Sequence, residues 1–168
     1  MTVVADSGPL IVLAKTSHLH LLPILYGEVI IPSAVYHEAV VVGQTRGYSD
    51  ADALQSFLHG RGWQPSEPPQ MPPELTGEAR LGKGELEAII LAQQHQIPLL
   101  VDEVYARSVA ARMGLETVGS LGILVEAYQK GHLIPGVLEE LLRIIERRED
   151  IWIHPDLCRR VRREILGE

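Results

Sequence analysis

Four acidic residues stand where short apolar runs end or where apolar residues begin to recur with helical spacing. Asp6 and Asp102 each directly follow a short apolar run, whereas Glu38 and Glu85 lie in segments with helical periodicity. Carboxylates that converge in a half-buried place repel one another, so such a cluster becomes stable when divalent cations lie among the oxygens. These residue types therefore predict a site for a hard cation such as Mg²⁺ or Mn²⁺.

The chemistry that such a site supplies is hydrolysis. Two divalent ions about 4 Å apart can activate a water molecule and stabilise the leaving oxygen of a phosphodiester. This requires about three or four acids on one edge and neither cysteine nor histidine. The single cysteine, Cys158, excludes an internal disulfide and a cysteine-rich metal site.

Two of the acids have a neighbour that competes for the same role. Glu85 shares a helix face with apolar residues four and seven positions later, so it is expected on the buried side, and Glu87 cannot share that direction. Acids in a first helical turn also have a purely electrostatic explanation. Asp102 and Glu103 form a doublet, in which Asp102 is preferred because it directly ends the apolar run.

Five short apolar runs are predicted as strands: Val3–Ala5, Val29–Ile31, Leu99–Val101, Glu116–Val118 and Ile151–Ile153. Helices are predicted over Leu10–Lys15 with Ser7 as N-cap, His18–Leu25, from Pro32-Ser33 onward with Val35 and Val41 facing the core, Asp50–Leu58, Gly84–Gln94, Tyr105–Met113, Leu121–Lys130, Pro135–Arg148 and Pro155–Leu166. The proline-rich stretch from Gln64 to Pro73 is predicted to be an ordered surface loop.

This alternation of strands and helices predicts an α/β fold, a three-layer α/β/α sandwich with a central, mainly parallel sheet. The length fits one domain over residues 1–168. Because the carboxyl ends of parallel strands share one edge of a sheet, Asp6 and Asp102 are expected to converge there.

The charge of the chain argues first against a nucleic-acid partner, because its formal net charge is −7. Bound cations would neutralise a carboxylate cluster, however, and positive charge is concentrated near the C-terminus. The residues concerned are Arg143, Arg147, Arg148, Arg159, Arg160, Arg162 and Arg163. The alternative is that these arginines are solvated helix faces. Trp63 and Trp152 are expected to pack against other side chains rather than to stack on bases.

No apolar run is long enough to span a bilayer, and the N-terminus has no basic segment typical of a signal peptide. Together with the low cysteine content, this favours a cytoplasmic protein without a membrane partner.

The acidic segments resemble the motifs of PIN domains. They are VADSGPLI with Asp6 and Ser7, IPSAVYHE ending at Glu38, LGKGELEAI with Glu85 and Glu87, and LLVDE ending at Asp102 and Glu103. VGSLGIL around Ser120 resembles a branch of PIN-like bacterial and archaeal proteins, and the likeness extends from Val3 to about Leu166. Gly8 stands where Ser or Thr is common in the first motif.

This resemblance implies an endoribonuclease that depends on Mg²⁺ or Mn²⁺. By position, Asp6, Glu38, Glu85 and Asp102 correspond to the metal-binding acids, with Glu103 as a further ligand, and Ser7 and Ser120 to their small polar neighbours. Members of the family are commonly toxins of the VapC type paired with a small antitoxin, so an antitoxin and a homodimer are expected. The alternative is a catalytically silent PIN-like module that binds RNA or protein. The arginine-rich C-terminal helix, or the loop from Pro65 to Pro73, is the expected place for an antitoxin or a second copy.

Overall fold

The computed structural model describes residues 1–168, which surround one sheet of five parallel strands. The strands are β1 (Thr2–Ala5), β2 (Glu28–Pro32), β3 (Pro65–Ser66), β4 (Leu99–Leu100) and β5 (Thr117–Val118). Their order across the sheet is β3-β2-β1-β4-β5, and each neighbouring pair is parallel. All five carboxyl ends therefore lie on one edge.

The helices are α1 (Ser7–Lys15), α2 (Leu21–Tyr26), α3 (Ser33–Tyr36), α4 (Gly43–Thr45), α5 (Ser49–Arg61), α6 (Lys83–His95), α7 (Val104–Arg112), α8 (Ser120–Gln129), α9 (Pro135–Arg147) and α10 (Pro155–Val161). A π-helical segment, His37–Val42, joins α3 to α4, and a second one, Arg162–Leu166, follows α10. A short 3₁₀ turn covers Pro73–Leu75. The predicted three-layer α/β/α fold with a parallel sheet is confirmed.

The strands place alternate side chains in two separate cores. In β1, Val3 and Ala5 belong to the larger core, which α1, α2, α5, α8 and α9 cover. Val4, between them, belongs to a smaller core that α6 and α7 cover. Because successive side chains of a strand point to opposite faces, burial of all three residues requires a helical layer on each side.

Three predictions of local secondary structure were wrong. Residues 151–153 form no strand: Ile151 packs into the larger core and Ile153 against it, but the segment pairs with no strand. Their apolar pattern reflects a segment in which the first and third side chains pack and the one between them is exposed. The short strand β3 lies inside the loop predicted over residues 64–73. Asp6, with extended backbone, is the N-cap of α1, and Ser7 is already its first helical residue.

The helix that begins at Ser33 departs from the expected α-helical phase. Val35 is buried as predicted, but Val41 is 40% exposed and Val40 is fully buried in its place. The π-helical hydrogen bonds over His37–Val42 span five residues instead of four, so Val35 and Val40 come onto one face. None of the helices combines the length and the apolar composition that crossing a bilayer requires.

Candidate metal centre

The sheet register brings the first and fourth acids to the same edge. Ala5 of β1 pairs with Leu100 of β4, and the Asp6 N–H donates to the Leu100 carbonyl at 2.9 Å. Asp6 directly follows β1, and Asp102 follows β4 by two residues. The structure thus places the two aspartates together, as the parallel topology predicts.

The carboxylate of Asp6 is buried, and one of its oxygens has no hydrogen-bond partner. The Asp6 side chain is 5% exposed, and its Oδ1 is the one buried side-chain N or O atom that lacks a hydrogen-bond partner. Burial raises the pKa of Asp6 to about 7; the Ser7 backbone N–H opposes this, and the charges of Glu85, Glu38 and Asp102 add to it. Buried polar atoms almost always have a partner, so this oxygen requires a cation or a proton to satisfy it.

Two glycines let the backbone approach the acids closely. A Cβ on Gly84 would lie 2.9 Å from Glu38 Oε2 and 3.7 Å from Asp6 Oδ1. A Cβ on Gly8 would lie 3.2 Å from Asp102 Oδ2, so a side chain at position 8 would require Asp102 to shift by a few tenths of an ångström. Glycine at both positions therefore allows the close packing of the acidic edge, the carboxyl edge of the sheet where Asp6, Glu85 and Asp102 lie.

Glu85 and Glu87 have different environments although they are two residues apart. Glu85 is half-buried, lines the acidic edge and accepts the Gly82 N–H at 2.9 Å, closing the start of α6. Burial raises the pKa of Glu85; the Gly82 N–H opposes this, and the charges of Glu103 and Glu38 add to it. Glu87 instead accepts the Ala34 N–H at 2.7 Å and so joins α6 to the first turn of α3.

The adjacent residues Asp102 and Glu103 also make different contacts. Asp102 Oδ1 accepts the Ser120 N–H and Oδ2 accepts the Ser120 hydroxyl, both at 2.6 Å. Burial raises the pKa of Asp102, and the two Ser120 hydrogen bonds oppose that rise. Glu103 caps α7 by accepting the Ala106 N–H at 2.7 Å, while its charge still acts on Glu85.

Glu38 and Ser7 complete the expected set. Glu38 lies in the π-helical segment, where its exposed carboxylate extends toward Gly84. Interruptions of this kind inside α-helices are frequent at functional sites. Ser7 is buried at the start of α1 and lines the acidic edge.

A cavity of about 350 Å³, the acidic cavity, has a carboxylate wall formed by Asp6, Glu85, Asp102 and Glu103. Glu38 does not line this cavity, although its charge acts on Asp6 and Glu85. The opposite wall of the cavity is partly apolar and includes Ile11, Val12 and residues 151–153.

Helices α1, α6, α7 and α8 all begin at the acidic edge, and the positive ends of their dipoles favour anionic groups there. No three His, Cys, Asp or Glu side chains lie close enough to hold one ion among them. The donor set is nevertheless all oxygen, which suits Mg²⁺ or Mn²⁺.

Three residues at or near the acidic cavity were not predicted to belong to the site. Asp150 lines it but is ion-paired with Arg148 at 2.7 Å and Lys15 at 3.0 Å, which hold its pKa well below the usual range. Arg107 donates to the Val101 carbonyl at 3.4 Å, and its positive charge lowers the pKa of Asp102. No motif marks either residue, because both reach the site through tertiary packing.

The third residue is Trp152, which was expected to pack. That prediction was wrong, because Trp152 is 96% exposed. Trp63 does pack, with its ring edge-to-face against Phe57 at 5.7 Å between centroids.

Comparison with protein families adds an independent observation. Residues 2–166 match the family DUF3368, described as a PIN domain. Comparisons with curated proteins and with solved structures gave no match. The family match covers nearly the whole chain, and PIN domains are generally nucleases. The chain therefore belongs to the PIN-domain family.

Proposed function

We propose that this PIN domain is a metal-dependent endoribonuclease that hydrolyses RNA phosphodiester bonds with Mg²⁺ or Mn²⁺. The observation that carries the proposal is the buried, unpartnered Oδ1 of Asp6, surrounded by the charges of three further acids. A divalent cation would supply the missing partner and remove the cause of the raised pKa of Asp6.

Asp6, Glu85 and Asp102 would hold metal, with Glu103 at the margin of the site, and Glu38 would complete the site or position the attacking water. When bound, the ions supply an activated water and stabilise the leaving oxygen. Because the carboxylates surround the cavity without meeting at one point, ion binding must draw them closer together.

The chain's own contribution is orientation. Ser120 fixes both oxygens of Asp102, and Gly82 holds the carboxylate of Glu85 at the start of α6. Preorganised ligands lose less freedom when an ion binds, and hydrogen bonds from outside the ligand set keep them in place. Glu87 is engaged with Ala34, so it is a positioning residue between α6 and α3 instead of a ligand.

We propose RNA as the substrate because of the family. A two-metal mechanism does not use the 2′-hydroxyl, so the chemistry alone does not distinguish RNA from DNA. The same resemblance supports a role as the toxin of a toxin–antitoxin pair, acting as a homodimer and inhibited by a small antitoxin. Co-purification with the product of an adjacent small gene, followed by loss of RNA cleavage in the complex, would test this role.

The nuclease proposal is tested by incubating single-stranded RNA with the purified chain and Mn²⁺ or Mg²⁺. Cleavage that stops when EDTA is added supports the proposal. Intact RNA with both ions, at protein concentrations where the fold is intact by circular dichroism, contradicts it.

One observation favours a second candidate, a silent RNA- or protein-binding PIN domain: no three acids are close enough to share an ion. The two candidates differ in metal affinity, because a silent module has no need to bind Mn²⁺. Calorimetric titration with Mn²⁺ separates them. Saturable binding that Asp6→Asn abolishes favours the enzyme, and the absence of binding favours the silent module.

A further inference from the structure

A second groove, of about 600 Å³, continues from the acidic cavity between α7, β5, α8 and α10. We call it the tryptophan groove; its characteristic residues are Val104, Arg107, Trp152, His154, Leu157 and Arg160. The groove and the acidic cavity have Asp102, Val104, Trp152 and Ile153 in common, so a ligand in one can extend into the other without a break.

The groove exposes large apolar side chains. Trp152 is 96% exposed, Val104 79% and Leu157 44%. Single exposed apolar residues are ordinary, but three along one groove beside a candidate catalytic site are typical of a binding surface. The indole of Trp152 lies between the acidic cavity and the rest of the groove, since it lines both.

The same groove carries positive charge that the protein does not neutralise. Arg159 and Arg162 both form ion pairs with Glu146, at 2.8 Å and 2.6 Å. Arg160, between them in the sequence, has no acidic partner within 4.0 Å and lines the groove. Four of the seven C-terminal arginines are thus tied to carboxylates. Of the three that form no ion pair, Arg147, Arg160 and Arg163, only Arg160 lines the groove.

An exposed aromatic ring and an unpaired arginine that line one groove are the combination with which proteins hold unpaired nucleotides. Bases stack on the ring while the cation contacts phosphate. A protein partner or a second copy would equally cover apolar side chains, but neither accounts for the opening of the groove into the acidic cavity.

We propose that the tryptophan groove binds single-stranded RNA beside the scissile phosphodiester, with one base stacked on Trp152 and a phosphate contacted by Arg160. This inference rests on the proposed nuclease function and adds that the substrate is unpaired at this position. It makes Trp152 and Arg160 substrate-binding residues outside the acidic set.

The test measures binding of a fluorescein-labelled oligouridylate of about ten nucleotides by anisotropy. All variants carry Asp6→Asn, so that the strand stays intact in Mg²⁺. We expect Trp152→Ala to weaken binding about 10- to 100-fold, and Trp152→Phe to weaken it less because phenylalanine also stacks. The matched control is Tyr48→Ala, which removes an aromatic side chain 49% exposed and outside the groove.

The role of Arg160 is tested with a separate control variant. Arg160→Ala is expected to weaken binding and to lower its salt dependence by about one phosphate contact. Arg147→Ala is expected to do neither, because Arg147 is exposed but does not line the groove. The chain has two tryptophans, so a Trp63→Phe variant retains Trp152 alone. The fluorescence of Trp152 in this variant should change when RNA binds.

Unchanged RNA affinity in Trp152→Ala would overturn the inference. A variant that keeps its RNA affinity but loses self-association or binding of a protein partner would also overturn it. The outcome is separable from the nuclease proposal. RNA binding that depends on Trp152 in a chain that never cleaves would support the groove and contradict the enzyme. Metal-dependent cleavage with unchanged KM and kcat in Trp152→Ala would support the enzyme and contradict the groove.

Discussion

Both carboxylate oxygens of Asp102 accept hydrogen bonds from one residue, Ser120. Oδ1 accepts the backbone N–H and Oδ2 the hydroxyl, each at 2.6 Å. Ser120 is fully buried and is the first residue of α8, so the positive end of that helix faces the carboxylate. This contact fixes one acid of the candidate metal centre before any ion arrives.

The first prediction concerns that hydroxyl. Ser120→Ala removes one of the hydrogen bonds that keep the pKa of Asp102 from rising further. We expect weaker Mn²⁺-dependent cleavage, an acidic limb of the pH–rate profile displaced to higher pH, and a loss of about 1–2 kcal/mol in stability. Ser108→Ala, which removes a hydroxyl bonded within α7, is the control. Identical pH–rate profiles for Ser120→Ala and the wild type would contradict the role given to Ser120.

The second prediction concerns the pH dependence of stability in the metal-free protein. The pKa of Asp6 is raised from 3.8 to about 7 on folding, so the folded state holds a proton that the unfolded state has released. The free energy of unfolding should therefore fall as pH rises from about 4 to about 7, by up to about 4 kcal/mol. Urea titrations over this range should show the decline in the wild type and a flatter curve in Asp6→Asn. Equal curves would show that burial does not raise this pKa.

The third prediction separates Glu85 from Glu87. Glu85→Gln keeps an acceptor for the Gly82 N–H but removes the charge that faces the acidic cavity, so Mn²⁺ affinity and cleavage should fall. Glu87→Gln keeps an acceptor for the Ala34 N–H and should leave Mn²⁺ affinity nearly unchanged. Glu87→Ala should lower stability by about 1–3 kcal/mol, because the Ala34 N–H loses its acceptor. Loss of Mn²⁺ binding in Glu87→Gln but not in Glu85→Gln would reverse the assignment.

The fourth prediction tests the close approach at Gly84. In Gly84→Ala the added Cβ would meet Glu38 Oε2 at 2.9 Å and Val35 Cγ2 at 3.3 Å. We expect Glu38 to be displaced, cleavage to fall, and stability to fall by about 1–3 kcal/mol. Gly60→Ala is the matched control in α5, where a Cβ meets nothing within 4 Å, and it should raise stability by about 0.5–1 kcal/mol. A fully active Gly84→Ala would show that the close approach of the Gly84 backbone to Glu38 is not required.

The parallel sheet and the meeting of Asp6 with Asp102 could be predicted because they depend on local pattern and topology. Short apolar runs alternating with helical periodicity allow few arrangements, and parallel strands share their carboxyl edge. The different directions of Glu85 and Glu87 were also expected, from the face that each occupies on α6. These features could be predicted because each depends on residues within one helix or strand, or on two neighbouring strands. Which of the two glutamates holds metal stays a prediction.

Features that depend on tertiary context could not be predicted. The apolar run at Ile151–Ile153 resembles a strand, but whether a strand pairs depends on a neighbour that the local sequence does not specify. Trp152 is exposed because it lies in that same unpaired segment. The π-helical phase that buries Val40 instead of Val41, and the partner of Glu87 on α3, arise only when helices pack.

The most direct test of the account is cleavage of single-stranded RNA in Mn²⁺ by the wild type, Asp6→Asn and Asp52→Asn. Asp52 is an exposed acid on α5 that accepts a hydrogen bond from Gln44, and its asparagine variant keeps that acceptor. We expect the wild type and Asp52→Asn to cleave alike, and Asp6→Asn to retain its fold while its rate falls by about 100-fold or more. Cleavage by Asp6→Asn at the rate of the wild type would contradict the account.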